Sequence, residues 1–315
     1  MTPFRKKISL FQAIIVLIFA CSTNRAVGQQ TSQKHWAETA SFRYGVDSDI
    51  TYGVFNHTPV HLDVWQNHAA VGPVPTLMYI HGGGWVIGNK DGAVNLFLPY
   101  IERGWNVVNV EYRLAGNSLA PAAVEDSRCA LRWIYDNAAK YHFDTSRIVV
   151  SGHSAGGHLA LMVGMLPNGT DLDSECPAAP DAPPLKVAAI VNWFGITDVN
   201  EILDGPDRQT YAVEWIGAQS NPHELAKHVS PMTYVRPGLP PIITIQGDHD
   251  PTVPYSQGVS LKEALTKAGV PNQLVTIPGG VHGNFTDDQT VNAFNQVWKF
   301  LDAHVSLDKT YTSQP

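Results

Sequence analysis

Hydrophobic and polar positions along this chain follow two alternating patterns. Short apolar runs rich in β-branched residues predict strands, at residues 41–46, 60–66, 75–80, 106–110, 147–151, 187–193, 241–245 and 273–277. Amphipathic segments predict helices, at residues 91–102, 121–140, 256–267 and 289–304, with another directly after residue 154. Strands that alternate with helices pair in parallel through right-handed crossovers. The pattern therefore predicts an α/β domain with a mostly parallel eight-stranded sheet flanked by helices, opened by an antiparallel pair of strands.

Residues 195–240 interrupt this alternation. They contain only short helical pieces, near residues 207–216 and 222–228, between two predicted strands. Loops of a rigid scaffold often carry the active site, so an insertion here is predicted to form a small cap or lid. The alternative is a long connection that only covers the sheet.

The first 28 residues have the pattern of a secretory signal peptide. Three basic residues precede an apolar run at residues 13–20, which is too short to span a membrane. Small residues ending at Gly28 fit a cleavage site, so residues 29–315 are predicted to form the mature α/β domain. The alternative is lipoprotein processing, in which Cys21 becomes a lipidated N-terminus. We therefore expect a secreted or periplasmic protein, or alternatively a membrane-anchored lipoprotein.

The net charge of the chain limits the kinds of molecule that it is expected to bind. The chain of 315 residues carries 21 basic and 28 acidic side chains, a net charge of −7. Removing residues 1–28 takes away four basic and no acidic residues, which leaves 17 against 28, or −11. A chain this acidic is poorly suited to nucleic acid or anionic lipid surfaces. We expect a neutral or weakly charged substrate, no nucleic acid and no membrane span.

The cysteines do not make a disulfide framework. After cleavage only Cys129, in a predicted helix, and Cys176, in a proline-rich loop at residues 167–184, remain. A bridge between them can form in an oxidising compartment, but the pattern does not favour it.

The strongest chemical signal is Gly-His-Ser-Ala-Gly-Gly at residues 152–157, between a β-branched run and a helical pattern. A strand, a sharp turn and a helix around Gly-x-Ser-x-Gly form a nucleophile elbow. The turn strains the Ser154 backbone and needs small neighbours, which Gly152 and Gly156 provide. Ser154 is the predicted nucleophile, and the Ala155 N–H points toward the same space. The alternative is a glycine-rich connection with an unused serine.

A second signal is His-Gly-Gly-Gly-Trp at residues 81–85, directly after a predicted strand. Three successive glycines favour neither helix nor strand, but they allow a backbone to present N–H groups into a cavity. Upstream of a Gly-x-Ser-x-Gly turn, such a loop is typical of an oxyanion hole.

A serine nucleophile needs a base to accept its proton and an acid to orient that base. His282 is the predicted base, because it lies in a glycine-rich loop after the last predicted strand. Asp250 is the predicted acid, because it follows the preceding strand and prolines stiffen the loop beyond it. Asp248 and Asp198 are the alternatives, and Asp248 is more typical of a turn former that bonds its own backbone. The order Ser154, Asp250, His282 is the one this architecture uses.

No metal and no cofactor are predicted. His57 and His61 are four residues apart but flank a proline turn, and His153 and His158 have the wrong spacing for one helix face. The expected chemistry uses protein side chains and backbone N–H groups alone.

These motifs resemble those of α/β-hydrolase serine esterases, over nearly all of the chain that follows the signal peptide. Residues 81–85 and 152–157 are similar to the hormone-sensitive-lipase-like acetyl esterases. The His-Ser pair in the elbow, Gly-x-x-Asp at residues 247–250 and Val-His-Gly at residues 281–283 are most similar to the bifunctional feruloyl and acetyl-xylan esterase type. Hormone-sensitive-lipase relatives usually have Asp at the position of His153.

The resemblance implies an α/β-hydrolase fold with a small cap, and an exported serine carboxylesterase that removes acetyl or feruloyl groups from plant polysaccharides. It also implies that Gly83, Gly84 and Ala155 bind the oxyanion and that His81 holds the glycine loop in place. Kynurenine formamidases have similar motifs, so an arylformamidase-like amide hydrolase is an alternative. A serine peptidase and a catalytically silent binding module of the same fold are the others.

Overall fold

The computed structural model describes residues 38 and 40–307. The chain forms two compact units, Met1–Tyr44 and Gly45–Pro315. The predicted signal peptide and the alternative lipidation site Cys21 lie outside the described residues, so both stay predictions. The described part of the first unit is a short helical segment that leads into a strand at Tyr44, and within this segment the Ser41 hydroxyl donates a hydrogen bond to the Glu38 carbonyl at 2.7 Å.

Among the residues that the structure describes, the sheet has eight strands in the order β1-β2-β4-β3-β5-β6-β7-β8. The strands are β1 (Tyr44–Phe55), β2 (Thr58–Asn67), β3 (Val74–Ile80), β4 (Asn106–Val110), β5 (Phe143–His153), β6 (Ala189–Trp193), β7 (Ile242–Gly247) and β8 (Asn272–Ile277). β2 runs antiparallel to β4, and the pairs from β4 through β3 to β8 are all parallel. The predicted fold class is confirmed.

Helices follow most of the strands. They are α1 (Val94–Glu102), α2 (Ala122–Asp136), α3 (Ala138–Tyr141), α4 (Ala155–Met165), α5 (Thr210–Ile216), α6 (Pro222–His228), α7 (Tyr255–Lys267) and α8 (Asp287–His304). Short 3-10 turns lie at Lys90–Ala93, Asp171–Asp173, Asn200–Ile202 and Pro231–Tyr234. Among the described residues, none of the helices is long and apolar enough to cross a bilayer.

The first predicted strand is wrong in position. Residues 41–43 are helical, and β1 instead runs from Tyr44 to Phe55, where it is hydrogen-bonded to β2 after a two-residue turn. The turn residues Asn56 and His57 have φ of 47° and 62°, which suits a tight hairpin. β1 lies at the edge of the sheet, and only its last residue is buried. Apolar positions 50, 52 and 54 do alternate with small or polar residues, so the signal for this strand lies beyond the predicted range.

The central strands are buried on both faces. Every residue of β3, β4 and β6 is buried, as expected for a parallel sheet covered by helices. α4 is also buried along nearly its whole length. The core therefore fixes the carboxyl ends of the central strands, from which the loops that carry the predicted site residues emerge.

Cys129 of α2 and Cys176 form a disulfide, with their Cα atoms 5.5 Å apart. The sequence pattern allowed this bridge but did not favour it. The loop after α4 lies against α2 because Arg128 donates to both carboxylate oxygens of Asp173, at 2.7 and 2.8 Å. Arg128 also donates to the Val163 carbonyl in α4 at 3.0 Å. This buried arginine brings together two cysteines that sequence spacing alone does not connect.

The segment 195–240 contains the turn Asn200–Ile202, the helices α5 and α6, and the turn Pro231–Tyr234. Its short helices agree with the two helical pieces expected from the sequence. Its function as a cap or lid stays a prediction.

Candidate active site

Ser154 lies at the turn between β5 and α4. Its backbone has φ 55° and ψ −124°, a conformation that residues with a side chain rarely adopt. A Cβ on Gly152 or Gly156 would collide with backbone atoms, the Ile80 carbonyl among them. Glycine at both positions therefore allows the strand, the helix and the end of β3 to approach this closely, and the expected elbow geometry is present.

The three side chains predicted to act together are within hydrogen-bonding distance. The Ser154 hydroxyl donates to Nε2 of His282 at 2.9 Å, and Nδ1 of His282 lies 2.8 Å from Oδ2 of Asp250. The Asp250 carboxylate is fully buried, whereas the imidazole is 21% exposed. A carboxylate can only accept a hydrogen bond, so Nδ1 carries the proton and Nε2 is free to accept one from the serine.

The loop after β7 fixes the orientation of the carboxylate. Oδ1 of Asp250 accepts hydrogen bonds from the N–H groups of Thr252 at 2.8 Å and Val253 at 3.0 Å. The side-chain amide of Gln246 approaches Oδ2 at 3.4 Å. With its other oxygen held by the backbone, Asp250 presents Oδ2 to the histidine.

The two alternative acids have other partners. Oδ1 of Asp248 accepts the Gly279 N–H at 2.6 Å, which ties the loop after β7 to the loop that carries the histidine. It also lies 2.6 Å from Nδ1 of His249, and this hydrogen bond lowers the pKa of Asp248. Asp198 accepts the N–H of Asn200 at 2.9 Å. Asp248 is therefore a turn residue, as expected. It forms hydrogen bonds both within the loop after β7 and to Gly279 in the loop after β8.

The glycine loop after β3 presents unpaired N–H groups. Gly83 and Gly84 have φ of 116° and 60°, so a side chain at either position would strain the backbone. Within the described part of the chain, the N–H groups of Gly83, Gly84 and Ala155 donate no hydrogen bond. Such unpaired N–H groups are rare inside proteins. Their free state is consistent with the predicted oxyanion hole, whose function stays a prediction.

The buried side chain of Trp85 anchors the glycine loop to the core. Its indole is fully buried and stacks on Trp215 of α5 at a centroid distance of 4.1 Å. The indole N–H donates to Nδ1 of His158 at 3.2 Å, and Nε2 of His158 donates to the Val229 carbonyl at 2.6 Å. Burial lowers the pKa of His158 to about 4, so the ring is neutral and can serve as donor and acceptor at once.

His153, the residue before the nucleophile, also holds this loop. Its Nε2 accepts the Gly82 N–H at 3.2 Å, and its Nδ1 lies 3.0 Å from the Tyr79 hydroxyl. Burial lowers the pKa of His153 to about 4, which keeps the accepting nitrogen unprotonated. In the sequence, His153 contributes to the family resemblance and is tested as a metal ligand, but its contact with the glycine loop is not predicted. The contact could have been suspected because His153 precedes Ser154 at the end of β5, and β5 pairs with β3, from which the glycine loop emerges.

His81 packs at the start of the same loop. Its ring stacks on Tyr112 at 4.3 Å, and its Nδ1 lies 2.7 Å from the Gly82 carbonyl. The Tyr112 hydroxyl donates to the His81 carbonyl at 3.1 Å. Burial lowers the pKa of His81 to about 4. These contacts agree with the expectation that His81 holds the glycine loop.

An aromatic pair borders the histidine of the site. Phe194, directly after β6, has φ of 40°, a strained value for a bulky residue. Its ring contacts His282 edge-on at a centroid distance of 4.8 Å and Phe285 at 5.7 Å. Sequence analysis did not single out either phenylalanine, because single aromatic residues in apolar segments give no signal beyond packing.

Comparisons with known proteins agree with this arrangement. A family model with the description BD-FAE matches residues 62–265. The chain is 28% identical to the "Probable carboxylic ester hydrolase LipM" of Mycobacterium tuberculosis, over 70% of this chain and 52% of LipM. It is 30% identical to "Carboxylesterase NlhH" of the same organism, over 74% of this chain and 73% of NlhH. Among solved structures, the "Truncated form of carbohydrate esterase from gut microbiota" aligns with a TM-score of 0.70 and 27% identity, over 82% of this chain and 97% of that one.

The fold and the arrangement of the site are those of an α/β-hydrolase. Since the family model covers more than half of the chain, the protein belongs to the BD-FAE family. The resemblance to esterases of the α/β-hydrolase fold is confirmed. The match includes Ser154 and Asp250 and ends before His282. The chain spans about half the length of several curated relatives that it matches.

Proposed function

We propose that this protein is an exported serine carboxylesterase that hydrolyses short-chain acyl esters through an acyl-enzyme on Ser154. The observation that carries the proposal is the hydrogen-bonded chain of Ser154, His282 and Asp250, at 2.9 and 2.8 Å. The names of the relatives LipM and NlhH describe carboxylic ester hydrolases and support the same reaction class.

In the first half of the reaction, Oγ of Ser154 attacks the ester carbonyl carbon while Nε2 of His282 accepts the hydroxyl proton. The tetrahedral intermediate collapses, the C–O bond to the alcohol breaks, and the imidazolium gives its proton to the leaving alcohol. Asp250 stabilises the imidazolium and keeps the Nδ1 tautomer throughout. A water molecule then attacks the acyl-enzyme with His282 again as the base, which releases the acid and regenerates Ser154.

The negative oxygen of each tetrahedral intermediate would bind the N–H groups of Gly83, Gly84 and Ala155. Each such donor contributes on the order of 3 kcal/mol to transition-state stabilisation. The anchoring of the loop through Trp85 and His153 places these donors before substrate arrives, so little reorganisation is needed during the reaction.

The proposed substrates are acetyl or feruloyl esters on plant polysaccharides. Three observations support this class: the resemblance to feruloyl and acetyl-xylan esterases, a structural neighbour named as a carbohydrate esterase, and a net negative charge that disfavours anionic polymers. Release of acetate from acetylated xylan should then rival hydrolysis of small aryl acetates. Absence of any acetate release from xylan would remove the polymer from the proposal.

Export is proposed on two grounds. Residues 1–28 have the pattern of a signal peptide, and the disulfide between Cys129 and Cys176 is typical of oxidising compartments. Mass analysis of the N-terminus after expression of the full chain in a bacterial host distinguishes the alternatives. Cleavage after Gly28 supports a secreted or periplasmic enzyme, whereas a lipidated Cys21 shows an anchored lipoprotein, and an intact N-terminus contradicts export.

The esterase proposal is tested with p-nitrophenyl esters from acetate to octanoate. The protein is compared with Ser154→Ala and with Ser256→Ala, a control at an exposed serine of α7. We expect hydrolysis of short-chain esters that falls by several orders of magnitude in Ser154→Ala only. Folded protein without activity on any ester would contradict the proposal. Formamide and peptide substrates would then test the two other hydrolase alternatives, and failure of both would leave a silent binding module.

A further inference from the structure

Tyr211 connects the glycine loop to the loop of the acid. Its side chain lies directly on the backbone of Gly84: a Cβ built on Gly84 would be 2.8 Å from Cβ and 2.9 Å from Cγ of Tyr211. At the far end of the ring, the hydroxyl donates to the Thr252 carbonyl at 3.0 Å. Since Thr252 also donates its N–H to Asp250, the ring spans the distance between the proposed oxyanion donors and the acid loop.

The helix that carries this tyrosine is fixed in place. One turn later in α5, Trp215 stacks on the buried Trp85 of the glycine loop, and Trp85 also lies 5.8 Å from the Tyr211 ring. The Trp215 carbonyl accepts the Ala120 N–H at 2.9 Å. Gln209, just before the helix, approaches the Pro251 carbonyl at 3.4 Å. The tyrosine is therefore held at both ends and cannot swing aside without breaking these contacts.

The position of this ring bears on the acyl group of the substrate. In an acyl-enzyme on Ser154, the carbonyl oxygen binds the N–H groups of the glycine loop at about 3 Å. The carbon chain attached to that carbonyl starts within a few ångströms of Gly84. A rigid aromatic ring that packs on Gly84 limits the space on that side of the site.

We propose that Tyr211 sets the length of the acyl group, closing the acyl side of the site so that acetyl fits and longer or aromatic acyl groups are excluded. The inference rests on the proposed esterase function, and it decides between the two acyl groups considered there. The protein is then an acetyl esterase and does not release ferulate. Replacing Tyr211 by a smaller residue removes the ring and should allow longer acyl chains to bind.

The test compares kcat/KM for p-nitrophenyl acetate, butyrate and octanoate and for methyl ferulate in the full chain. The variants are Tyr211→Ala, Tyr211→Leu and Tyr211→Phe, with Tyr234→Ala as a matched control. Tyr234 belongs to the same 195–240 segment, but its hydroxyl donates to the His228 carbonyl instead of the acid loop. A ratio of kcat/KM values for two esters in one preparation does not depend on the fraction of correctly folded protein, so a partly unfolded variant still gives an answer.

We expect the octanoate-to-acetate ratio to rise by about tenfold or more in Tyr211→Ala, and less in Tyr211→Leu. The ratio should stay unchanged in Tyr211→Phe, which keeps the ring, and in Tyr234→Ala. An unchanged ratio in both Tyr211→Ala and Tyr211→Leu overturns the inference, as does wild-type protein that cleaves octanoate or ferulate as readily as acetate. These results differ from failure of the proposed function, in which the wild-type protein hydrolyses no ester at all.

Discussion

Nε2 of His153 accepts the backbone N–H of Gly82 across 3.2 Å, so the residue before the nucleophile holds the loop of the proposed oxyanion donors. The elbow and the glycine loop come from neighbouring parallel strands, β5 and β3, whose register places Gly152 beside Ile80. One residue further along β5, the His153 side chain then reaches Gly82 in the loop that follows β3. The proposed nucleophile and the proposed oxyanion donors are thus positioned by one sheet and by one histidine.

Replacing His153 by alanine should impair the reaction without removing any reacting group. Loss of the acceptor leaves the Gly82 N–H unpaired and lets the glycine loop relax, so we expect kcat to fall by roughly 10-fold to 100-fold. KM should change little, because the donors act mainly on the transition state. Steady-state kinetics on p-nitrophenyl acetate gives both values.

Two further variants accompany this experiment. His153→Gln offers another side-chain acceptor and should recover part of the rate, and His223→Ala, at an exposed histidine of α6, should have no effect. An increase in KM at constant kcat in His153→Ala would show that the histidine serves substrate binding and not loop position.

Asp250→Asn should reduce kcat by about 10⁴-fold, because an amide favours the wrong tautomer of His282 and cannot stabilise its charged form. Asp248→Asn should have a far smaller effect, since an amide oxygen still accepts the Gly279 N–H. The two variants differ by two positions on one loop and form a matched pair. Equal losses in both would contradict the assignment of Asp250 as the acid.

The meeting of Ser154, Asp250 and His282 could be predicted because each residue lies in a local sequence signal. The Gly-x-Ser-x-Gly turn lies between a strand and a helix, and the loops of Asp250 and His282 each follow a predicted strand. Parallel strands bring these ends to one edge of the sheet, so the order along the chain was enough to predict that the three side chains meet.

The features that sequence analysis missed depend on packing between distant segments. The pairing of Cys129 with Cys176 depends on Arg128, which holds the loop after α4 against α2. The Tyr211 ring meets Gly84 only because α5 packs on the glycine loop. Neither contact has a spacing or a periodicity that a linear pattern can display. The position of β1 was mispredicted for a different reason, since the alternating apolar positions that mark this strand begin only at Ile50.

Stability should fall as the pH is lowered from about 6.5 to about 4. His81, His153 and His158 each have a pKa lowered to about 4 by burial, from 6.5 in the unfolded chain. Between these pH values each histidine is protonated in the unfolded state and neutral in the folded state. Each one therefore lowers the free energy of unfolding by up to ~1.4 kcal/mol for every unit by which the pH falls. Glu125 acts in the opposite direction, because burial raises its pKa to about 7.

Urea unfolding at several pH values between these limits measures the slope. The variant His153→Gln should show a slope smaller by up to ~1.4 kcal/mol per pH unit, since one of the three groups no longer titrates. His223→Ala serves as the control, because this histidine is exposed. A slope that is the same in His153→Gln and in the wild-type protein would contradict a neutral His153 in the folded state.

The disulfide should stabilise the fold without taking part in the chemistry. Cys129 and Cys176 are separated by 47 residues, and a cross-link over such a loop contributes about 4 kcal/mol in the chain-entropy model. The double variant Cys129→Ala/Cys176→Ala should lose stability of this order, while kcat stays unchanged because the Arg128–Asp173 pair still holds the loop on α2. A reducing agent should lower the free energy of unfolding of the wild-type protein by a similar amount and leave the double variant unaffected. A fall in kcat in the still-folded double variant would instead mean that the cross-link reaches the elbow, through Arg128 and the Val163 carbonyl of α4.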